Sequence, residues 1–301
     1  MAFSNARANA NYGKGVHTID LSIASEEDIT EALKTTFASP DYHPPLLPKV
    51  AVQVNELIQK PRSTLTDIVA VVQRDPVLAT AILKRAQSPA YATKIPPRSL
   101  QDAASRLGLR GMRDLVWEVS LKAKVFRHPA CNDFMERLFH HSLLVARISA
   151  LIAAHLRFEH KSVFLLGLLH DIGLLASTVA LADASRRGRH KLALDEYAGI
   201  FRDFHEEAGA SVAKLWGLPE EWVEIIECHH RPVKGGSINS TNAILVVAEA
   251  VSTAVGGAIE LDHQNLDQPN QEVFSKAGSA LGIDAEQVQA FVDKSAAMVG
   301  I

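Results

Sequence analysis

The sequence has only two cysteines, Cys131 and Cys228, in 301 residues. That excludes a disulfide framework and makes a reducing cytosol the expected setting. Neither sign of charge is in excess. There are 31 Lys and Arg against 34 Asp and Glu, a net charge of −3. No basic field is available to hold nucleic acid by phosphate neutralisation alone. The opening run Met1-Ala2-Phe3-Ser4-Asn5-Ala6-Arg7 lacks the apolar core of a signal peptide. No stretch approaches the ~18 uninterrupted apolar residues of a membrane span, so no membrane partner is expected. What the chain does have is apolar material, 47% against 22% charged, enough for a packed core and too much for a disordered polymer. It also has thirteen histidines.

Helix signals follow one another along the chain, with little strand alternation. Residues 1–24 are polar and aperiodic, a leader that docks at most the short piece from Val16 to Ile23. Ser25-Glu26-Glu27-Asp28 reads as a capping box opening a short helix to about Phe37. Pro40, Pro44, Pro45 and Pro48 then forbid regular structure. Five short helices are expected between 48 and 128. One is capped by Thr64, one by Asp75 before Pro76, and one by Ser99, with a stop at Gly108. A second helical block runs from 133 to about 256, interrupted at 185–191 and 231–240. The tail reads as a polar loop and two helices, near 271–281 and 284–297. The fold class is all-α: two packed helical halves with a short helical C-terminal tail. The expected boundaries are a leader at 1–43, a main domain at 44–256 divided at 130/131, and a tail at 257–301.

The second block holds the chemistry. On the helix around 136–156, stepping back by three from the stripe at Leu144 lands on His141, which therefore points inward. The helix from Val163 to Leu175 is apolar almost all round, yet carries His170 and Asp171 in its middle. A buried carboxylate costs several kcal/mol unless something compensates it, and a metal cation or a charged histidine would serve. His205 heads an inward stripe of Ala208, Gly209, Val212 and Leu215, in the first turn of its helix. His229 and His230 close the helix that begins at Glu220, and Glu249 is the one charge in the buried helix 243–251. Each has an ordinary reading alone: a core histidine, a helix-end pair, or an edge turned to water. Cys228 has no second thiol at ligand spacing, so a structural zinc site is set aside. Together, imidazole and carboxylate are the ligand set of a mid-row divalent ion such as Mn, Fe, Ni or Zn. Helical bundles build such sites from several helices at once.

These residues, in the order His141, His170-Asp171-Ile172-Gly173, His205, His229-His230, Glu249, resemble the signature of the HD superfamily of metal-dependent phosphohydrolases. The first half sharpens the resemblance. Leu46-Leu47-Pro48-Lys49-Val50, Asp75-Pro76-Val77-Leu78, Ala86-Gln87-Ser88-Pro89-Ala90-Tyr91, Ser99-Leu100-Gln101-Asp102-Ala103 and Arg106-Leu107-Gly108-Leu109-Arg110 are similar to the opening of the HDOD domain, an output domain of bacterial signalling proteins. The resemblance spans roughly 44–256. It implies one metal site from His141, His170, Asp171 and Glu249, and a second from His205, His229 and His230. It also implies three departures. Active relatives carry Lys directly after His-Asp-Ile-Gly, and here stands Leu174. The Gly-Tyr-Pro loop of cyclic-dinucleotide phosphodiesterases is replaced by Arg231-Pro232-Val233. The last acid is Glu249 in place of Asp.

Three functions follow as expectations. The first, preferred, is a cytoplasmic bacterial signal-transduction output module. It would keep a divalent site of unknown identity and act through a protein partner or a nucleotide ligand. The second is a metal-dependent phosphohydrolase on a cyclic nucleotide or dinucleotide, with Asp171 as the catalytic residue and Lys234 or Arg186, Arg187 and Arg189 replacing the lost phosphate anchor. The third is nucleic-acid binding through a helix-turn-helix over Leu100–Val119, using Arg106, Arg110 and Arg113. An ordinary helical hairpin is preferred to it, because the chain is acidic.

Overall fold

The computed structural model describes residues 25–91, 95–158, 162–188, 192–234, 237–261, 263–266 and 269–299. The leader piece Val16 to Ile23, with Arg189 and His190, lies outside them. The described chain is almost wholly helical, as the capping signals predict. Ser25 and Asp28 form a reciprocal capping box at α1 (Glu26–Ala38). α2 (Lys49–Gln59) ends just before Pro61. Thr64 and Asp67 cap α3 (Leu65–Val72) in the same reciprocal way. The Asp75 carboxylate accepts the Leu78 N–H at 3.0 Å to start α4 (Pro76–Ala86). Ser99 starts α5 (Leu100–Lys124), which Gly108 (φ +69°) bends into two segments at the expected stop. Two of the three arginines that a nucleic-acid reading needs are engaged. Arg113 is buried and paired with Asp114 at 2.7 Å, and Arg106 is held by Asp102 at 2.7 Å.

The second half is built on α6 (Asn132–His155), α7 (Val163–Leu169), α8 (Ile172–Gly188), α9 (Ala198–Leu215), α10 (Glu220–Glu227) and α11 (Ser240–Ala254). All seven residues of α7 are buried. The α6 helix and the α7–α8 stretch are long and apolar enough to span a membrane, but their most apolar windows are 67% and 100% buried within the fold. They form its core. α1 packs on α9, with the Phe37 and Phe204 rings stacked at 5.9 Å. In the tail, α12 (Gln271–Leu281) packs on α11, and α13 (Ala285–Ala296) packs on α11 and α6.

Three features differ from the sequence reading. The apolar run 163–175 is not one helix: it breaks at His170 and Asp171, between α7 and α8. His205 is not in a first turn, because Ile200, Phe201 and Phe204 extend the buried face upstream and α9 begins at Ala198. Two small antiparallel hairpins occur, β1 (Val233–Lys234) with β2 (Ser237–Ile238), and β3 (Glu260–Leu261) with β4 (Gln264–Asn265). At two residues per strand, no alternation exists for a sequence to display.

Candidate metal centre

Close helix contacts bring the ionisable residues together. α7 lies against α6 at Gly167, where a Cβ would sit 2.7 Å from the Ala146 Cα. α8 lies against α9 at Gly173, where a Cβ would sit 1.9 Å from the His205 carbonyl oxygen. Only glycine allows backbones to approach this closely. The two contacts register His141 on α6, His170 and Asp171 at the α7–α8 break, and His205 on α9 around one point. α10 ends just before His229 and His230, and α11 brings Glu249.

Each sequence-singled residue is placed at this point. His170, Asp171, His229 and Glu249 have no exposure to solvent, and His141 and His205 almost none. The His230 side chain is 19% exposed and forms the rim. Two groups of three donors emerge: His141, His170 and Asp171, and His205, His229 and His230. Asp171 lies between them. Its Oδ2 faces His141 Nε2 at 3.4 Å and His170 Nε2 at 3.5 Å. Its Oδ1 faces His205 Nε2 and His229 Nε2, both at 3.8 Å. Glu249 also spans the groups, with Oε2 3.3 Å from His230 Nδ1 and Oε1 3.9 Å from His170 Nε2.

The backbone settles which ring nitrogen points inward. The Nδ1 of His141 lies 2.7 Å from the Gly257 carbonyl, that of His170 2.8 Å from Gly167, and that of His229 2.7 Å from Ile226. That of His205 lies 2.8 Å from the Arg202 carbonyl. A carbonyl can only accept, so each Nδ1 carries the proton and donates it. Each ring then turns its Nε2 to the centre, the arrangement that orients metal-ligating histidines.

This creates a conflict that a cation resolves. His205 Nε2 is 3.2 Å from His229 Nε2 and 3.1 Å from His230 Nε2. Facing lone pairs at that distance repel, unless a proton or a metal cation is shared between them. Two imidazole nitrogens bound to one ion at about 2.1 Å stand roughly 3.0–3.4 Å apart, which brackets both values. Two buried carboxylates supply the matching negative charge. The residues present therefore fit a divalent ion.

Some contributors were invisible in the sequence. Glu206 accepts the His230 backbone N–H at 3.1 Å, and its other oxygen pairs with Arg231 at 3.0 Å. It follows His205 directly, one helical step of about 100° off the inward stripe, so no periodicity marks it. Beside His205 and His230 opens a cavity of about 670 Å³, walled by Arg202, Arg231 and the tail residues Leu266 and Val273. Of the expected anchor residues, Arg186 is tied to Asp183 at 3.0 Å. Arg189 and the side chains of Arg187 and Lys234 lie outside the described residues.

Comparison with known proteins bears on the fold and the family. An HDOD domain protein of unknown function from Geobacter sulfurreducens superposes with a TM-score of 0.65 at 24% identity, over 91% of this chain and 96% of that one. A Shewanella amazonensis protein provisionally assigned as a metal-dependent phosphohydrolase gives 0.64 at 20% identity, over 90% and 99%. Both likenesses speak to the fold. Ribonuclease Y of Fervidobacterium nodosum is 28% identical over 165 residues, 55% of this chain and 26% of that protein. The chain spans only 21–37% of the length of the curated relatives it matches. The family model of the HDOD domain matches residues 45–232. With more than half of its length matched, and the helical architecture shared, the chain belongs to the HDOD domain family.

Proposed function

We propose that this protein is a signal-transduction output module that retains a divalent-metal site and acts by binding a protein partner or a nucleotide. The observation that carries the metal half is the backbone-fixed convergence of Nε2 atoms around Asp171. What favours binding over turnover is Leu174. Active relatives of the resembled superfamily place a phosphate-contacting lysine there, whereas this leucine is fully buried in the core and presents nothing to a substrate. His141, His170 and Asp171 would hold one ion, and His205, His229 and His230 a second, with Asp171 shared. Glu249 Oε2 stands 3.3 Å from His230 Nδ1, a charge contact that favours a proton on that nitrogen and leaves Nε2 turned inward.

A second reading, phosphohydrolysis, draws on the open cavity beside His205 and His230, whose wall carries Arg202 and Arg231 paired with Asp203 and Glu206, together with Glu207. When bound, a divalent ion polarises a phosphoryl oxygen and activates water. The chain's own residues would anchor the phosphate through Arg231, itself held by Glu206, and exclude water behind the buried imidazoles.

One experiment separates the readings: elemental analysis of wild type and Asp171→Ala, beside a phosphodiester assay with added Mn. The module reading expects stoichiometric metal in wild type, its loss in the variant, and no turnover in either. Turnover that disappears with Asp171→Ala would establish the hydrolase instead. Metal-free wild type that cannot be loaded would overturn both.

A further inference from the structure

Away from the metal centre, a second cavity of about 550 Å³ lies between the two halves of the fold, bounded by α4, α5 and α6. Its walls carry four cations, Lys84, Arg85, Lys122 and Arg127, and one carboxylate, Glu118. Glu118 is buried and already engaged: Arg85 pairs with it, the Tyr91 hydroxyl donates to it at 2.6 Å, and Arg147 lies at 3.5 Å. It neutralises the inner end of the cavity and fixes Arg85. Neither Lys84 nor Arg127 makes an ion pair among the described residues. Lys122 sits 5.1 Å above the Phe139 ring and is paired with Glu136 at 2.7 Å, at the cavity's edge. The floor is apolar, formed by Val119, Phe139 and Leu143. So a chain of net charge −3 sets four cations against Glu118 and Glu136, an excess of two positive charges, around one concavity with an apolar floor. Cations above an apolar base are the complement of a ligand with a phosphate at one end and a ring at the other. The volume falls within the range of about 300–1,000 Å³ typical of small-molecule sites.

We propose that this cleft binds a small phosphate-bearing ligand with a ring, a mononucleotide in size and chemistry. The phosphate is held by Lys122, Arg127 and Lys84, and the ring rests on Phe139 and Val119. The site is distinct from the metal centre and does not rest on its occupancy. It is built from both halves of the domain, and α6 carries His140 on its wall next to His141 of the metal centre.

The test is titration of the full chain with ADP by calorimetry, with pyrophosphate and adenosine as partial ligands. Saturable ADP binding is expected, weaker for pyrophosphate and weakest for adenosine, and declining as salt is raised. Lys122→Glu/Arg127→Glu is expected to weaken ADP at least tenfold, whereas His205→Ala leaves it unchanged. Glu136→Gln releases Lys122 from its competitor and is expected to tighten binding two- to threefold. If the double variant fails to fold by circular dichroism, Lys84→Glu/Arg127→Glu, both at exposed positions, gives the same reading. Absence of saturation, equal binding of pyrophosphate and ADP, unchanged affinity in the charge-reversed variants, or loss in His205→Ala would each overturn the assignment.

Discussion

Replacing Gly173 by alanine tests the packing that assembles the candidate metal centre. The added Cβ would lie 1.9 Å from the His205 carbonyl oxygen, 2.6 Å from the Gly209 nitrogen and 2.8 Å from the His205 carbonyl carbon. All three are backbone atoms, so no side-chain rotation can relieve the overlap. Reaching an ordinary contact of about 3.4 Å requires α8 and α9 to separate by roughly 1.5 Å. Alanine brings about 1 kcal/mol of helical preference over glycine. Overpacking costs about 1–3 kcal/mol, and overlap of backbone on backbone belongs at the upper end. The clash therefore wins by about 2 kcal/mol. For a domain of this size, that lowers the thermal midpoint by roughly 4–8 °C, measurable by circular dichroism. The same separation carries His205 away from Asp171, so bound metal should fall with stability. Gly209→Ala is the internal control. Its nearest atom is a side-chain methyl, the Ile226 Cγ2 at 2.8 Å, and its nearest backbone atom lies at 3.4 Å, so the overlap to relieve is smaller and its loss should be smaller too. An alanine at 173 that leaves the midpoint unchanged, or raises it, would refute the close α8–α9 contact and with it the registration of His205.

Three further outcomes are expected. Glu118→Ala removes the shared partner of Arg85, Arg147 and the Tyr91 hydroxyl, and should destabilise by about 3 kcal/mol in denaturant titration, the lower end of the cost of breaking a buried pair, because the two cations are only partly buried. Burial, reinforced by the charge of Asp183, pushes the Cys131 thiol up to about 12, so the thiol stays protonated far above the ordinary range near 8.5. In Cys228→Ala, labelling of the remaining thiol should show no rise between pH 7 and 10 in the folded state, and a normal rise in urea. Divalent ion at a hundredfold over its dissociation constant should stabilise the fold by about 2.7 kcal/mol, read as a rise in midpoint that Asp171→Ala abolishes.

Much of the fold was legible because the helices carry their own stop and start signals. Ser25, Thr64, Asp75 and Ser99 each accept the N–H that their spacing predicts. Gly108 bends α5 at the expected stop because its φ of +69° is one that few other residues adopt. The inward faces of His141 and His205 followed from helical periodicity alone. Less legible was the break at His170-Asp171. An unbroken apolar run offers nothing to distinguish one buried helix from two, since burial on all sides erases the amphipathic stripe. Arg202, Arg231 and Glu206 at the cavity mouth were missed for another reason. They are charged residues on exposed or half-exposed surface, where composition carries no directional information. The tail residues Leu266 and Val273 join that wall through tertiary packing, which lies beyond any local pattern.

The histidines pose a choice that the coordinates dissolve. From sequence, a histidine at a helix end has an ordinary explanation in the unsatisfied carbonyls of the last turn, and a histidine facing the core has another in local hydrogen bonding. Both explanations hold here: His229 bonds the Ile226 carbonyl three residues back, just past the end of α10, and His170 bonds Gly167 at the same spacing. Yet those bonds do more than satisfy a carbonyl. By engaging the Nδ1 proton on the backbone, they turn the Nε2 of each ring to the shared interior, where a neutral ring presents a lone pair. A purely structural cluster would alternate donors with acceptors, so that each ring satisfied its neighbour. This one points acceptors at acceptors, 3.1 and 3.2 Å apart, with two carboxylates among them. That arrangement calls for positive charge at its centre, supplied by a proton or by a metal ion. The local structural role and the proposed metal-binding role would therefore be the same bond seen from its two ends.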